Sequence, residues 1–287
     1  HHLSVDLYCE NVIKHAKVVV IRLLGGATYW PYGLERISEI CNQRGIKFAA
    51  LPGDDQPDLE LARCGTLRTE HEHRLWQYLV QGGPENTNNF VRYAGSLAGV
   101  EMEWGEPVPL LNAGLYWPGV LRGDLGDVCS HWTEGNPVAG ITFYRALIQA
   151  GNTEPIDACV KALLDRSINP LPIYVQSLKD PVSGGVISAN FEKMSPDIII
   201  NATGFAVSKP GAERTTSPFD TASCPVLQIV FAASTKEHWT TNVSGLIARD
   251  IAMNVALPEV DGRVLSRAVA FKSEAAFDSA TETSVVK

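Results

Sequence analysis

Residues 17–24 read Lys-Val-Val-Val-Ile-Arg-Leu-Leu and stop at Gly25-Gly26. Apolar residues that follow one another without polar alternation predict a strand buried on both faces, as inside a parallel sheet. Residues 32–44 then place Leu34, Ile37, Ile40 and Cys41 on one helical face, with Gly45 at the C-cap position. A second apolar run, 46–51, ends at Pro52-Gly53. Strand, helix, strand is a βαβ unit with a right-handed crossover. Ahead of it, Ser4-Val5-Asp6-Leu7 predicts a helix with Ser4 as N-cap.

Residues 54–104 read as helical, centred on Leu75, Leu79 and Val80 and then on Phe90, Val91, Ala94 and Leu97, with Gly82-Gly83-Pro84 between. Residues 105–137 are rich in Pro and Gly without a period and predict an irregular connection. Beyond it, strands are expected at 138–144, 172–175, 197–201, 225–231 and 264–271, and helices at 154–165, 186–194 and 246–254. The fold class is therefore α/β, two Rossmann- or flavodoxin-like units with parallel sheets flanked by helices, over 1–130 and 131–287. Such sheets bind ligands in the crevice beyond the carboxyl ends of their strands.

Charge and hydropathy remove whole classes of function. The 287 residues carry a formal net charge of −8, the wrong sign for neutralising phosphates, so no nucleic-acid partner is expected. No apolar run reaches the roughly 18 residues a membrane span needs, and no signal peptide opens the chain, so the expected setting is cytoplasmic. The six cysteines are scattered, which fits reduced, mostly buried thiols. The chain opens His1-His2 without a Met and closes on a small, polar stretch, 273–287. Those ends read as an excised piece of something longer.

Several clusters could carry chemistry. Arg22 precedes the glycines, and Tyr29, Trp30 and Tyr32 follow where strand turns into helix; glycines admit a ligand to the backbone and aromatics stack on flat rings. The plainer reading is a tight turn. Asp54 and Asp55 end the second strand, a position for a ligand or simply a solvated loop. His71-Glu72-His73 places its imidazoles on different helix faces, so a solvated face is the expectation and no metal site. Tyr144 and Arg145, Ser177 and Lys179, and Asn201 and Thr203 each follow a strand of the second unit. They should line one crevice, the cations facing carboxylates and the neutral groups offering hydrogen bonds. They would equally serve as ordinary strand-end caps. The sequence holds no G-x-G-x-x-G, P-loop, Ser-His-Asp order or zinc ligand set, which disfavours a nucleotide-dependent oxidoreductase and leaves the catalytic residues unknown.

The stretches RLLGGATYWPYGLERI, LPGDDQPD, NPVAGITFYRALIQAGNTEPIDACVKALLDR, NPLPIYVQSLKD, IIINATGFA, CPVLQIVFAAS and LPEVDGRV resemble the CobN family, the large subunits of aerobic-pathway cobaltochelatases. QGGPENTNNFVRY is similar to a stretch shared with the magnesium chelatase H subunit. Family members are far longer, so this chain resembles an N-terminal portion. The resemblance implies a tetrapyrrole substrate, the corrin precursor hydrogenobyrinic acid a,c-diamide, into which the complex inserts cobalt. It also implies the remaining domains of the large subunit and AAA+ ATPase subunits as partners. ATP and Mg belong to the full complex, and no cofactor is expected on this piece, which should be inactive alone. Two alternatives stay open: a non-catalytic docking or scaffold module, and a porphyrin-binding subunit of the magnesium chelatase H type.

Overall fold

The computed structural model describes residues 2–272, 274–278 and 283–286. The chain divides into two compact units, His1–Leu110 and Leu111–Lys287.

In the first unit the elements are α1 (His2–Asn11), β1 (Val18–Leu23), α2 (Pro31–Arg44), β2 (Lys47–Pro52), α3 (Leu59–Cys64), α4 (Thr69–Gln81) and α5 (Gly83–Leu97). β1 and β2 pair in parallel from Val18↔Lys47 to Leu23↔Pro52. Both faces of the pair are covered, which is why the runs lack polar alternation. Phe48 and Ala50 pack with Leu34, Ile37, Ile40 and Cys41, while Ala49 and Leu51 pack with Leu75, Tyr78 and Tyr93. Gly45 ends α2 at φ 66°, the left-handed cap the sequence predicts. Ser4 is not an N-cap, because α1 already begins at His2, whose ring stacks on Tyr32 at 3.9 Å.

The motif around Gly82 has a structural role. Asn86 donates to the Val108 carbonyl at 2.9 Å and accepts from the Val108 N–H at 2.8 Å. Asn89 accepts from the Gly105 N–H at 2.9 Å, and Gln81 from the Leu110 N–H at 2.9 Å. Side-chain amides on two helices thus satisfy a segment that has no secondary structure of its own.

The second unit contains β3 (Ala113–Trp117), β4 (Val120–Gly123), α6 (Leu125–Cys129), β5 (Val138–Tyr144), α7 (Arg145–Gln149), α8 (Glu154–Leu164), β6 (Asn169–Val175), α9 (Pro181–Met194), β7 (Ile198–Asn201), β8 (Val226–Thr235), α10 (Lys236–Thr241), α11 (Ala248–Ile251), α12 (Leu257–Val260) and β9 (Val264–Lys272). Seven strands form one sheet in the order β4-β3-β6-β5-β7-β8-β9. From β6 to β9 the pairing is parallel. Counted along the chain, those five strands run second, first, third, fourth, fifth, the flavodoxin-type order. β10 (Glu274–Asp278) and β11 (Thr283–Val286) form a separate antiparallel pair.

Two expectations are corrected. Residues 105–137 are not all irregular: β3 and β4 make a hairpin across Pro118-Gly119, with Gly119 at φ 78°, and β3 joins the sheet antiparallel to β6. The division accordingly falls at 110/111 rather than 130/131. β6 begins at Asn169, three residues earlier than expected, because the strand continues through Pro170. β3 pairs only with Ile173–Val175 of that strand, beyond both prolines.

Candidate functional site

In the first unit the predicted residues separate into those tied into the fold and those facing solvent. Arg22 donates from Nη2 to the Gly53 carbonyl at 2.9 Å and from Nε to the Pro52 carbonyl at 3.4 Å. The turn after β2 lies so close to β1 that a Cβ on Gly53 would stand 2.6 Å from the Leu24 backbone. The guanidinium therefore locks two strand ends together. Trp30 packs against the core, and its indole fills the space a side chain on Gly33 would need, 2.0 Å from an added Cβ. Tyr32 donates to Asp6 at 2.8 Å and joins α2 to α1. Tyr29 is 75% exposed. Asp54 and Asp55 face solvent, accepting from the backbone and side chain of Gln56 at 3.1 Å each.

The His71-Glu72-His73 stretch departs from the expected solvated face. His71 hydrogen-bonds the Tyr93 hydroxyl at 2.5 Å. Glu72 is buried against Gly65, and its Oε1 has no hydrogen-bond partner. Burial pushes this carboxyl from its ordinary 4.5 up to about 7. Among the described residues no group of three or more His, Cys, Asp or Glu is placed to hold a metal ion. The cysteines are free, Cys9 and Cys41 buried and the other four partly exposed, a less buried set than expected.

In the second unit the topological switch point falls between β5 and β7, the first and third parallel strands, and the chain after each turns away over the sheet edge. Tyr144 donates from its hydroxyl to the Gly204 carbonyl at 3.0 Å, joining the exits of the two strands. Arg145 begins α7 and donates to the Leu111 carbonyl at 2.9 Å. After β6, the Ser177 hydroxyl accepts from the Lys179 N–H at 3.1 Å and Lys179 is exposed. A groove of about 480 Å³ lies there, walled by Lys179, Ser188, Thr215, Thr216 and Thr221.

Asn201 and Thr203 do not offer hydrogen bonds to a ligand. Both are fully buried. Asn201 donates to the Thr203 carbonyl at 2.9 Å and to Gln228 at 2.7 Å, and accepts from the Thr203 hydroxyl at 2.9 Å. Gln228 donates back to the Thr203 carbonyl at 3.0 Å. Beside them Arg263 and Asp261 form a buried ion pair at 2.6 Å. Burial pushes Asp261 up, but the N–H groups of Ser208 and Val207 and the Arg263 charge outweigh it, holding the carboxyl below its ordinary range. Desolvation in turn lowers Arg263. The network clamps the loop that leaves β7.

A second cavity, of about 340 Å³, is lined by Leu147, Asn152, Glu154, Phe231, Phe271 and Lys272. It lies between the segment after β5 and the far ends of β8 and β9. None of these six stands among the sequence-based candidates, although Phe231 and Phe271 end predicted strands and the strand-end rule could have nominated them.

Fold and crevice together define a doubly wound α/β unit of the sort that seats a ligand at its strand ends. The CobN/magnesium chelatase family model matches residues 76–287, and the chain belongs to that family. It is 44% identical to the aerobic cobaltochelatase subunit CobN of a Sinorhizobium species and 39% identical to that of Pseudomonas aeruginosa. Each match covers 100% of this chain, which spans only 23% of the length of either relative. The magnesium-chelatase subunit ChlH of Oryza sativa is 26% identical over 65% of this chain and 15% of its own. The solved catalytic subunit of cobaltochelatase from Mycobacterium tuberculosis superimposes with a TM-score of 0.71 at 26% identity, over 94% of this chain and 22% of that one. No helix among the described residues is long and apolar enough to cross a membrane.

Proposed function

We propose that this chain is the part of a cobaltochelatase large subunit that helps seat the tetrapyrrole, with hydrogenobyrinic acid a,c-diamide as the ring and cobalt as the ion inserted by the full complex. The observation that carries the reading is the switch-point crevice of the second unit, in a chain of the CobN family. A rigid rim with Tyr144, Arg145 and Lys179 suits a flat ring bearing many carboxylates. Removing pyrrole protons and bending a macrocycle draw on binding energy distributed over such a rim. Insertion would be driven by ATP hydrolysis on partner AAA+ subunits, so the segment alone is inactive. Cobalt is assigned no ligand here.

Titration with hydrogenobyrinic acid a,c-diamide, protoporphyrin IX competing, tests this through quenching of the six tryptophans. Saturable quenching that Lys179→Gln weakens is expected, and no quenching at near-millimolar ring would defeat the reading. A docking role for the first unit has its own support: Leu24, Tyr29 and Leu59, in the turns after β1 and at the start of α3, are 69%, 75% and 74% exposed.

A further inference from the structure

Phe205 follows β7 in the second unit with φ 61°. Left-handed backbone is easy for glycine and tolerable for asparagine, but for a bulky residue it is a true outlier. Such strain survives only where its surroundings impose it, and it gathers at binding sites. Here the surroundings are explicit. Asn201, Thr203 and Gln228 hold the preceding turn in a closed set of buried hydrogen bonds. The Tyr144 hydroxyl holds the Gly204 carbonyl. Gly204 is pressed so near the Met253 carbonyl that an added Cβ would stand 2.9 Å from it. The Phe205 N–H donates to that same carbonyl at 2.7 Å.

The outcome is unusual. A residue whose strained backbone is held in place is left 48% exposed at the switch point, although its side chain is large and apolar. Stability alone gives no reason for this arrangement, because glycine would adopt the turn without strain and exposed aromatic surface gains nothing from water. An aromatic side chain presented from a held backbone has a use when a flat partner covers it: stacking removes apolar area from water, and only two side-chain torsions remain to be ordered on binding.

We propose that Phe205 is the stacking platform for one face of a flat, conjugated, ring-shaped ligand, a specificity residue that selects planarity. This rests on the proposed tetrapyrrole reading and names the contact within that crevice. Phe205→Gly and Phe205→Asn both remove the ring while relieving the backbone, so each is expected to fold, as checked by circular dichroism and urea midpoint. The ring's absorbance band is then followed on titration with hydrogenobyrinic acid a,c-diamide. The wild type should bind with a band shift. Both variants should bind at least roughly tenfold more weakly and lose the shift, and Phe205→Trp should restore it. Wild-type binding that both variants retain with its shift overturns the Phe205 assignment and leaves the tetrapyrrole reading standing. Absence of wild-type binding overturns both.

Discussion

Glu72 and Asp261 are buried carboxyls, one in each unit, 7% and 6% exposed, and their surroundings are opposite. Glu72 lies against Gly65 with one oxygen unpartnered, and desolvation lifts it to about 7. Asp261 accepts from the Val207 and Ser208 N–H groups at 2.7 and 2.9 Å and from Arg263 at 2.6 Å, and stays below its ordinary range. Equal burial therefore does not set the charge of a carboxyl; the donors around it do. In the second unit two of those donors are loop backbone, so the charge of Asp261 and the shape of the loop after β7 are one feature. In the first unit the carboxyl holds nothing, and protonation is its way of tolerating burial.

The comparison breaks first at Asp261. Asp261→Ala leaves Arg263 buried without a counter-charge and two loop N–H groups unpaired, so a loss of about 3–5 kcal/mol is expected. The urea midpoint measures it, and a change under about 1 kcal/mol would mean the pair is incidental. At Glu72 the effect depends on pH. Its folded value, about 7, lies above the ordinary 4.5, so the folded state binds the proton more tightly. Stability is then full below about pH 4.5, falls as pH rises toward 7, and is flat above. The loss approaches about 3 kcal/mol at 1.36 kcal/mol per unit. Glu72→Gln should abolish that slope in urea titrations from pH 4 to 8, and a slope that persists unchanged would mean that groups other than Glu72 set it.

How much of this was legible follows from the range of the interactions. β1, β2 and α2 stand in the local pattern, since strands covered on both faces must be unbroken apolar runs. β6 was legible only from Pro172 onward, because Pro170 masks its start, and β3 with β4 are too short to declare a period. The switch point was legible through the order of strands and helices, and so were Tyr144 and Arg145 as strand-end residues. Asn201 and Thr203 looked like ligand donors because their partners are remote: Gln228 is 27 positions from Asn201, and Arg263 is 60 from Thr203. Phe205 gave no local sign of its conformation, since glycine and asparagine are the residues that advertise a left-handed turn.

Two smaller effects sharpen the contrast between polar groups that hold backbone and those that do not. Asn86→Ala in the first unit removes three side-chain bonds, two of them to Val108. It should cost about 2 kcal/mol, since the Val108 N–H and C=O lose their partners. Hydrogen exchange at Val108 checks this, and protection equal to wild type would show that the amide ladder is dispensable.

Tyr144→Phe is the mildest test, because the aromatic volume stays and only the hydroxyl leaves. The Gly204 carbonyl loses its 3.0 Å partner, a loss of about 1 kcal/mol. The pH dependence separates this bond from general packing. Burial lifts the Tyr144 phenol above its ordinary value of 10, and this outweighs the Arg263 charge, which pulls it down. A group raised in the folded state contributes stability that is present below its unfolded value and lost as pH climbs through the folded one. Wild type should therefore lose stability in the alkaline range above about pH 10, while Tyr144→Phe, weaker at neutral pH, should lose less there, so the two curves converge. Parallel curves would mean that the hydroxyl is not what joins the two strand exits, and that the loop carrying Phe205 is held by the Asn201–Gln228 network, Asp261 and the Met253 carbonyl without it.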